Sequence, residues 1–129
     1  MARRNISGNS PWEALVGYSR AVRVGPHVWV SGTTATDDSG ALVGIGEPGS
    51  QARQALDNVR RALEAAGAGI AQVVRTRIYV TNVENWPAIA AAHAEFFGAV
   101  RPAATMVEVV RLVSPEMLVE IEAEAYVDD

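Results

Sequence analysis

The sequence predicts an α+β domain of order β-β-α-β-α-β-β, on three observations. Residues 50–67 carry apolar side chains at alternating spacings of three and four. Residues 73–81 and 117–127 alternate instead with a period of two, as half-buried strands do. Glycine, proline and asparagine punctuate the chain between these segments.

In chain order, a short N-terminal arm leads to two β segments, Tyr18 to Val24 and Val28 to Ser31. Gly25-Pro26-His27 joins them as a hairpin turn. Thr33 to Gly49 is rich in Thr, Asp, Gly and Pro and reads as a loop with a short strand at Leu42-Val43, the kind of long loop that often borders a site. The first helix is capped by Ser50, buries Leu56, Val59, Leu63 and Ala66, and ends at Gly67. The strand Val73 to Thr81 places Val74, Thr76, Ile78 and Val80 on one face and Val73, Arg75, Arg77 and Tyr79 on the other. Asn85-Trp86-Pro87 starts a second helix with Asn85 as cap, whose buried stripe is Ile89, Ala92, Phe96 and Val100 and which ends near Gly98. Ala104 to Leu112 and Met117 to Val127 are then two strands whose short connection suits an antiparallel pair. Two helices cover one face of a mixed sheet, so the other face is solvated or buried against partner subunits.

At 129 residues, with 49% apolar and 20% charged side chains, the chain is long enough for one domain with its own core. No apolar run reaches the roughly 20 residues a membrane span needs, and no secretory signal opens the chain, which points to the cytoplasm and away from a membrane partner. Cysteine is absent and all 11 basic side chains are arginine, so thiol nucleophiles, thiolate metal sites and lysine Schiff bases are excluded. His27 and His93 lie in no metal-binding spacing, and no phosphate or dinucleotide loop is present, so neither metal nor cofactor is expected. A net charge of −4 with dispersed arginines offers no basic stripe for nucleic acid.

Glu120, Glu122 and Glu124 recur every second residue and project from one strand face. Most such runs are solvated faces balanced by arginines, but a glutamate in a partly dry cleft has its pKa raised and can hold a water and move protons near neutral pH. Glu108 shares a face with Met106 and Val110 and reads foremost as half of an ion pair. His93 lies at the edge of the second helix's apolar stripe, either as a hydrogen-bonded packing residue or lining a pocket. Tyr18 is either core or a pocket hydroxyl, and Ser31-Gly32-Thr33-Thr34 either supplies hydroxyls and a close backbone approach to a ligand or simply ends a strand.

Tyr18-Ser19-Arg20-Ala21-Val22-Arg23-Val24-Gly25, Val28-Trp29-Val30-Ser31-Gly32, Gln54-Ala55-Leu56-Asp57-Asn58-Val59, Arg101-Pro102-Ala103 with Val107-Glu108-Val109, and Val119-Glu120-Ile121-Glu122-Ala123 together resemble the RidA (YjgF-type) family, in the family's order and over nearly the whole chain. The resemblance implies a chorismate-mutase-like fold and a homotrimer with a central sheet barrel and ligand clefts between subunits. It also implies cofactor-free hydrolysis of reactive enamines and imines to ammonia and a ketoacid. By the same resemblance Glu120 positions the water, Tyr18 and Ser31-Gly32 are cleft residues, and Met106 holds a position whose backbone lines the pocket; Thr33, His93, Ala104 and Thr105 complete the expected substrate-binding set. Ala104 stands where enamine-active members have an arginine that grips the substrate carboxylate, and Ala90 replaces a second-helix asparagine. Losing such a fork costs about 2 to 5 kcal/mol of binding.

The expected activity is therefore hydrolytic deamination of a small imine, enamine or related compound other than the archetypal 2-imino acid. Its substrate either lacks a carboxylate or has it held by another arginine, such as Arg20, Arg77 or Arg111. The alternative is a non-catalytic trimer that binds a small metabolite. A ribonuclease label, which the family sometimes carries, has little support in an acidic chain with no evident histidine pair.

Overall fold

In the computed structural model, which describes residues 2–128, six strands form one mixed sheet against which two helices pack. The elements are β1 (Arg3–Ile6), β2 (Ala21–Val24), β3 (His27–Thr33), α1 (Pro48–Ala65), β4 (Val73–Val80), α2 (Trp86–Phe97), β5 (Ala103–Glu108) and β6 (Val119–Tyr126), with spatial order β1-β2-β3-β6-β4-β5. All neighbours are antiparallel except β4 and β5, and α2 is the crossover that a parallel pair requires.

The core lies between sheet and helices. Leu56, Val59, Leu63 and Ala66 of the first helical segment are fully buried against Val28, Val30, Ile78, Val80, Val119, Ile121, Ala123 and Ala125, the inward row of the sheet. Gly67 ends the segment with φ +82°, where the Ala68 amide reaches back to the Leu63 carbonyl and satisfies an otherwise orphaned group.

Several details differ from the sequence reading. The N-terminal arm contributes an edge strand, β1, paired along β2. Helix α1 begins two residues before Ser50, with Pro48 in its first turn and no side-chain cap, because proline already supplies the helical φ and has no amide to satisfy. Asn85 makes no cap bond at α2; the side chain that caps is Asn82, which accepts from the Glu84 amide of the preceding 3-10 turn. The buried stripe of α2 is Ile89, Ala92 and Phe97, with Phe96 only partly covered. A register shift between Val73 and Arg75 turns Val73 inward and leaves Val74 exposed, reversing the faces expected at the strand's start.

The largest correction concerns the last two strands. They are not a hairpin: β5 pairs in parallel with β4 at the sheet edge, while β6 inserts between β3 and β4. That placement gives the more apolar strand, with Val119, Ile121, Ala123 and Ala125 all buried, two partners and the centre of the sheet. The expected strand at Leu42-Val43 is a single bridge from Leu42 to Thr36.

Gln51 is fully buried, and its amide closes three connections. Its Nε2 donates to the Gly44 and Glu116 carbonyls, at 3.2 and 2.9 Å, and its Oε1 accepts from the Leu118 amide at 2.9 Å. It thereby fixes the loop that leads into β6. Gln51→Leu strands three backbone groups, and urea denaturation at a fixed protein concentration is expected to show a loss of roughly 2 to 4 kcal/mol. An unchanged midpoint and slope would contradict this account.

Candidate functional site

The sheet's outer face, away from the helices, carries alternate residues of every strand. On β6 these are Glu120, Glu122 and Glu124, opposite Tyr79, Arg77 and Arg75 of β4. Two of the three carboxylates follow the solvated, balanced pattern. The Arg77 guanidinium donates to Glu124 at 2.8 Å and lies 3.5 Å from Glu122, which also accepts the Tyr79 hydroxyl at 2.8 Å. Glu124 and Glu122 in turn hold the Arg77 pKa above its usual value, and the bond to Glu122 raises that of Tyr79.

Glu120 differs from both. It is half-buried, and among the described residues it has neither an ion pair nor a side-chain hydrogen bond. Burial pushes its carboxyl above the usual range; Arg20 opposes that shift and Glu122 adds to it. The space it fills is made by Gly32: a Cβ there would collide with Glu120 Oε2 and lie 3.0 Å from its carboxyl carbon.

Gly32 sits where β3 changes register against β6, between Val30 and Thr33. Such an irregularity re-aims side chains, and this one is held by its neighbours. The Ser31 amide donates to the Arg20 carbonyl at 3.0 Å, Ser31 Oγ to the Ser19 carbonyl at 2.6 Å, and Thr33 Oγ1 to the Ser31 carbonyl at 2.7 Å. The Thr33 side chain is buried, so both hydroxyls serve the backbone in this arrangement. Tyr18 follows a single π-helical turn, Glu13–Gly17, and its ring lies 5.6 Å from the Arg20 guanidinium carbon.

The other sequence candidates gather elsewhere. Ala104 and Met106 of β5 face the helix side, in register with Thr76 and Ile78, and with Ala90, His93 and Ala94 of α2 they line a recess of about 270 Å³. His93 Nε2 is 2.9 Å from Thr76 Oγ1, and its ring packs 4.7 Å from that of Phe97. Burial lowers the His93 pKa, so the ring is neutral at pH 7, and the stability tied to that neutral form is fully present above the ordinary value of 6.5 and is lost as pH falls below it through the lower folded-state value. Thr105 lies at the rim, its hydroxyl accepting from Arg75 at 3.2 Å. Among the described residues, no cationic side chain lines the recess.

Within one chain the structure thus brings Tyr18, Ser31, Gly32, Thr33 and Glu120 together, and separately His93, Ala104, Thr105 and Met106. Glu120 and Gly32 lie on the outer face and His93, Ala104 and Met106 on the helix side, with β6 two strand positions or about 10 Å from β5. Thr33, paired with Ile121, turns inward, and Thr105, in register with Arg77, turns outward. Among the described residues Glu108 has no ion-pair partner; it accepts the Val83 amide at 2.9 Å, an anion at the start of a helical turn. Sequence reasoning missed Gln51 altogether. A buried glutamine in an otherwise apolar stripe was the signal available.

No three histidine or acidic side chains converge as a metal site among the described residues. None of the described helices is long and apolar enough to cross a membrane. The two histidines are far from each other in environment. His27 stacks on Trp29 and meets Tyr126 on the outer face, whereas His93 lies against Thr76 and Phe97.

Comparison with known proteins gives concordant results. The profile of the family described as Endoribonuclease L-PSP matches residues 8–127. Uncharacterized protein SCO2049 of Streptomyces coelicolor is 38% identical over 97% of this chain and 92% of its own. The crystal structure of Rv2704 from Mycobacterium tuberculosis, a member of the YjgF/YER057c/UK114 family, superposes with a TM-score of 0.89 at 48% identity, covering 98% of this chain and all of that one. Escherichia coli TdcF with bound serine superposes with a TM-score of 0.81 at 26% identity, covering 97% and 94%.

Proposed function

This chain belongs to the endoribonuclease L-PSP family, the YjgF/RidA proteins, and from that premise we propose that it hydrolyses a small reactive imine or enamine at Glu120. The observation that carries the proposal is the isolation of Glu120. It is the one carboxylate of its row left without an ionic or hydrogen-bonding partner among the described residues, half-buried and raised in pKa, over a glycine that leaves it room.

In the proposed reaction Glu120 takes a proton from a water whose oxygen attacks the carbon of the C=N bond. The proton passes to nitrogen, giving a carbinolamine. Glu120 then takes the hydroxyl proton and returns it to the amino nitrogen as the C–N bond breaks, so that nitrogen leaves as ammonia and the carbon becomes a carbonyl. No electron acceptor is needed, and a carboxylate that binds a proton more readily than usual suits both transfers.

The complete cleft is proposed to form between copies of the chain, the Glu120 cluster of one facing the Ala104–Met106 recess of the next in a homotrimer. Strand β5 supports this: its residues are exposed on both faces except for a half-buried Met106, as expected of an edge awaiting a cover. Light scattering at micromolar concentration is expected to give three chains of 13.7 kDa, about 41 kDa. A monomer at that concentration would remove the cleft.

The recess wall without a cation supports a substrate that does not depend on an arginine at position 104. The same apolar lining favours the second reading, a trimer that binds a small metabolite without turnover. Bound serine in the homologous TdcF supports a small amino-acid-like ligand under either reading. Ammonia release from a panel of freshly generated imines separates the two. Release above the spontaneous rate supports the hydrolase; thermal stabilisation by a compound recovered unchanged, with no release across the panel, supports the binder. The separation of His27 from His93 gives no support to a paired-histidine ribonuclease.

A further inference from the structure

We infer that Arg20 is the anion-binding residue of the Glu120 site, holding the carboxylate of the substrate and so selecting carboxylate-bearing imines over neutral ones. The inference rests on the hydrolase reading for its turnover arm but not for its binding arm.

Arg20 is the residue before β2, and its side chain runs along the outer face toward β3. Its Nη2 donates to the Gly32 carbonyl, and its Nε is buried with no partner among the described residues. No carboxylate lies within ion-pairing distance of it among those residues, in contrast to Arg77, which is shared by two glutamates. A partly buried guanidinium without a counter-ion is electrostatically incomplete, and a planar fork is the group best shaped to receive a carboxylate.

Its position is what makes the cation useful. Arg20 and Glu120 flank the same residue, the guanidinium on the Gly32 carbonyl and the carboxylate over the Gly32 Cα, yet they do not pair. Direct pairing would neutralise both groups. The bond to Gly32 and the Tyr18 ring 5.6 Å from the guanidinium carbon hold Arg20 back from it. Opposite charges kept side by side and apart match a small ligand whose anion lies next to its reacting carbon. The carboxylate sits on the guanidinium, and the C=N bond faces Glu120. The recess at Ala104 then has no anion to receive, which accounts for its apolar lining. Arg111 lies outside the described strands, beyond the end of β5, and Arg77 is already committed to Glu122 and Glu124.

The test compares imines with one side chain in two forms, one from the amino acid and one from the matching amino amide, on wild type, Arg20→Gln and Arg20→Lys. Wild type is expected to favour the carboxylate form at least tenfold in kcat/KM. Arg20→Gln is expected to lower that preference at least tenfold, chiefly through KM, with partial recovery in Arg20→Lys. Equal losses for both substrates in Arg20→Gln would make Arg20 merely structural and overturn the inference, as would a wild type that prefers the neutral form. If wild type turns over neither, the hydrolase reading fails, and calorimetry with 2-oxobutyrate decides this one separately. A Kd at least tenfold weaker in Arg20→Gln supports it, and equal or absent binding overturns it. Matching urea midpoints for the three proteins exclude misfolding.

Discussion

Glu120→Gln is expected to lower ammonia release from an imine substrate about 10²- to 10⁴-fold, the range that loss of a positioned acid or base produces. Glutamine keeps the volume and the ability to touch water but cannot take a proton. KM should change less than kcat, because the proton transfer belongs to the transition state rather than to binding. The pH profile supplies an independent check. Burial raises the Glu120 carboxyl above the ordinary glutamate value of 4.5, with Arg20 opposing and Glu122 assisting, so the wild-type rate should climb with pH to a plateau whose midpoint lies above that value. That rising limb should vanish in the variant.

Stability should move the opposite way to activity. A carboxyl whose folded pKa is raised stabilises the fold while protonated, below its unfolded pKa, and loses that contribution as pH rises through the folded value. At pH 7 wild type therefore carries an ionised, poorly solvated group that Glu120→Gln lacks. The variant should be at least as stable as wild type at pH 7, with the difference closing toward pH 4. Equal rates for the two proteins, or a variant that is both less stable and pH-responsive, would remove Glu120 from the mechanism.

How far the sequence revealed this site depends on which interactions are local. Leu56, Val59, Leu63 and Ala66 are legible because a helix registers its buried face in its own spacing, and all four are fully buried. The projection of Glu120, Glu122 and Glu124 to one side is legible for the same reason in a strand. What separates Glu120 from the other two is not. It depends on Arg77 of β4 choosing Glu122 and Glu124, and on Gly32 of β3 arriving under Glu120 through a register shift. Sheet order is hidden likewise. A short link after residue 112 allows a hairpin, but the pairing of β6 with β3 and β4 is decided by which strand best fills the buried centre. A similar argument covers Val73, whose turn inward follows from a bulge against β6. The resemblance to known proteins supplied what spacing could not, singling out Glu120 and naming Ser31, Gly32 and Met106 as neighbours of one cleft. A single chain shows them as two separate groups.

Gly32→Ala is expected to lower turnover about 100-fold while leaving the fold almost unchanged, and the two halves of that expectation have different causes. Gly32 has no positive φ, so alanine meets no backbone strain there. The added methyl instead collides with Glu120 Oε2 and comes within 3.0 and 3.3 Å of its Cδ and Cγ. The end of a glutamate side chain swings aside at little cost, so denaturant midpoints should move by no more than about 1 kcal/mol. The displaced carboxylate, however, no longer meets its water at the right place, and a misplacement of about 1 Å suffices for a loss on the order of 10². The combination with Glu120→Gln isolates the cause. If the methyl acts only by moving that carboxylate, Gly32→Ala should add little to a protein already lacking it, a strong departure from additivity. Full multiplication of the two losses would mean that the glycine serves the ligand directly, through close approach of its backbone, and that Glu120 is merely its neighbour.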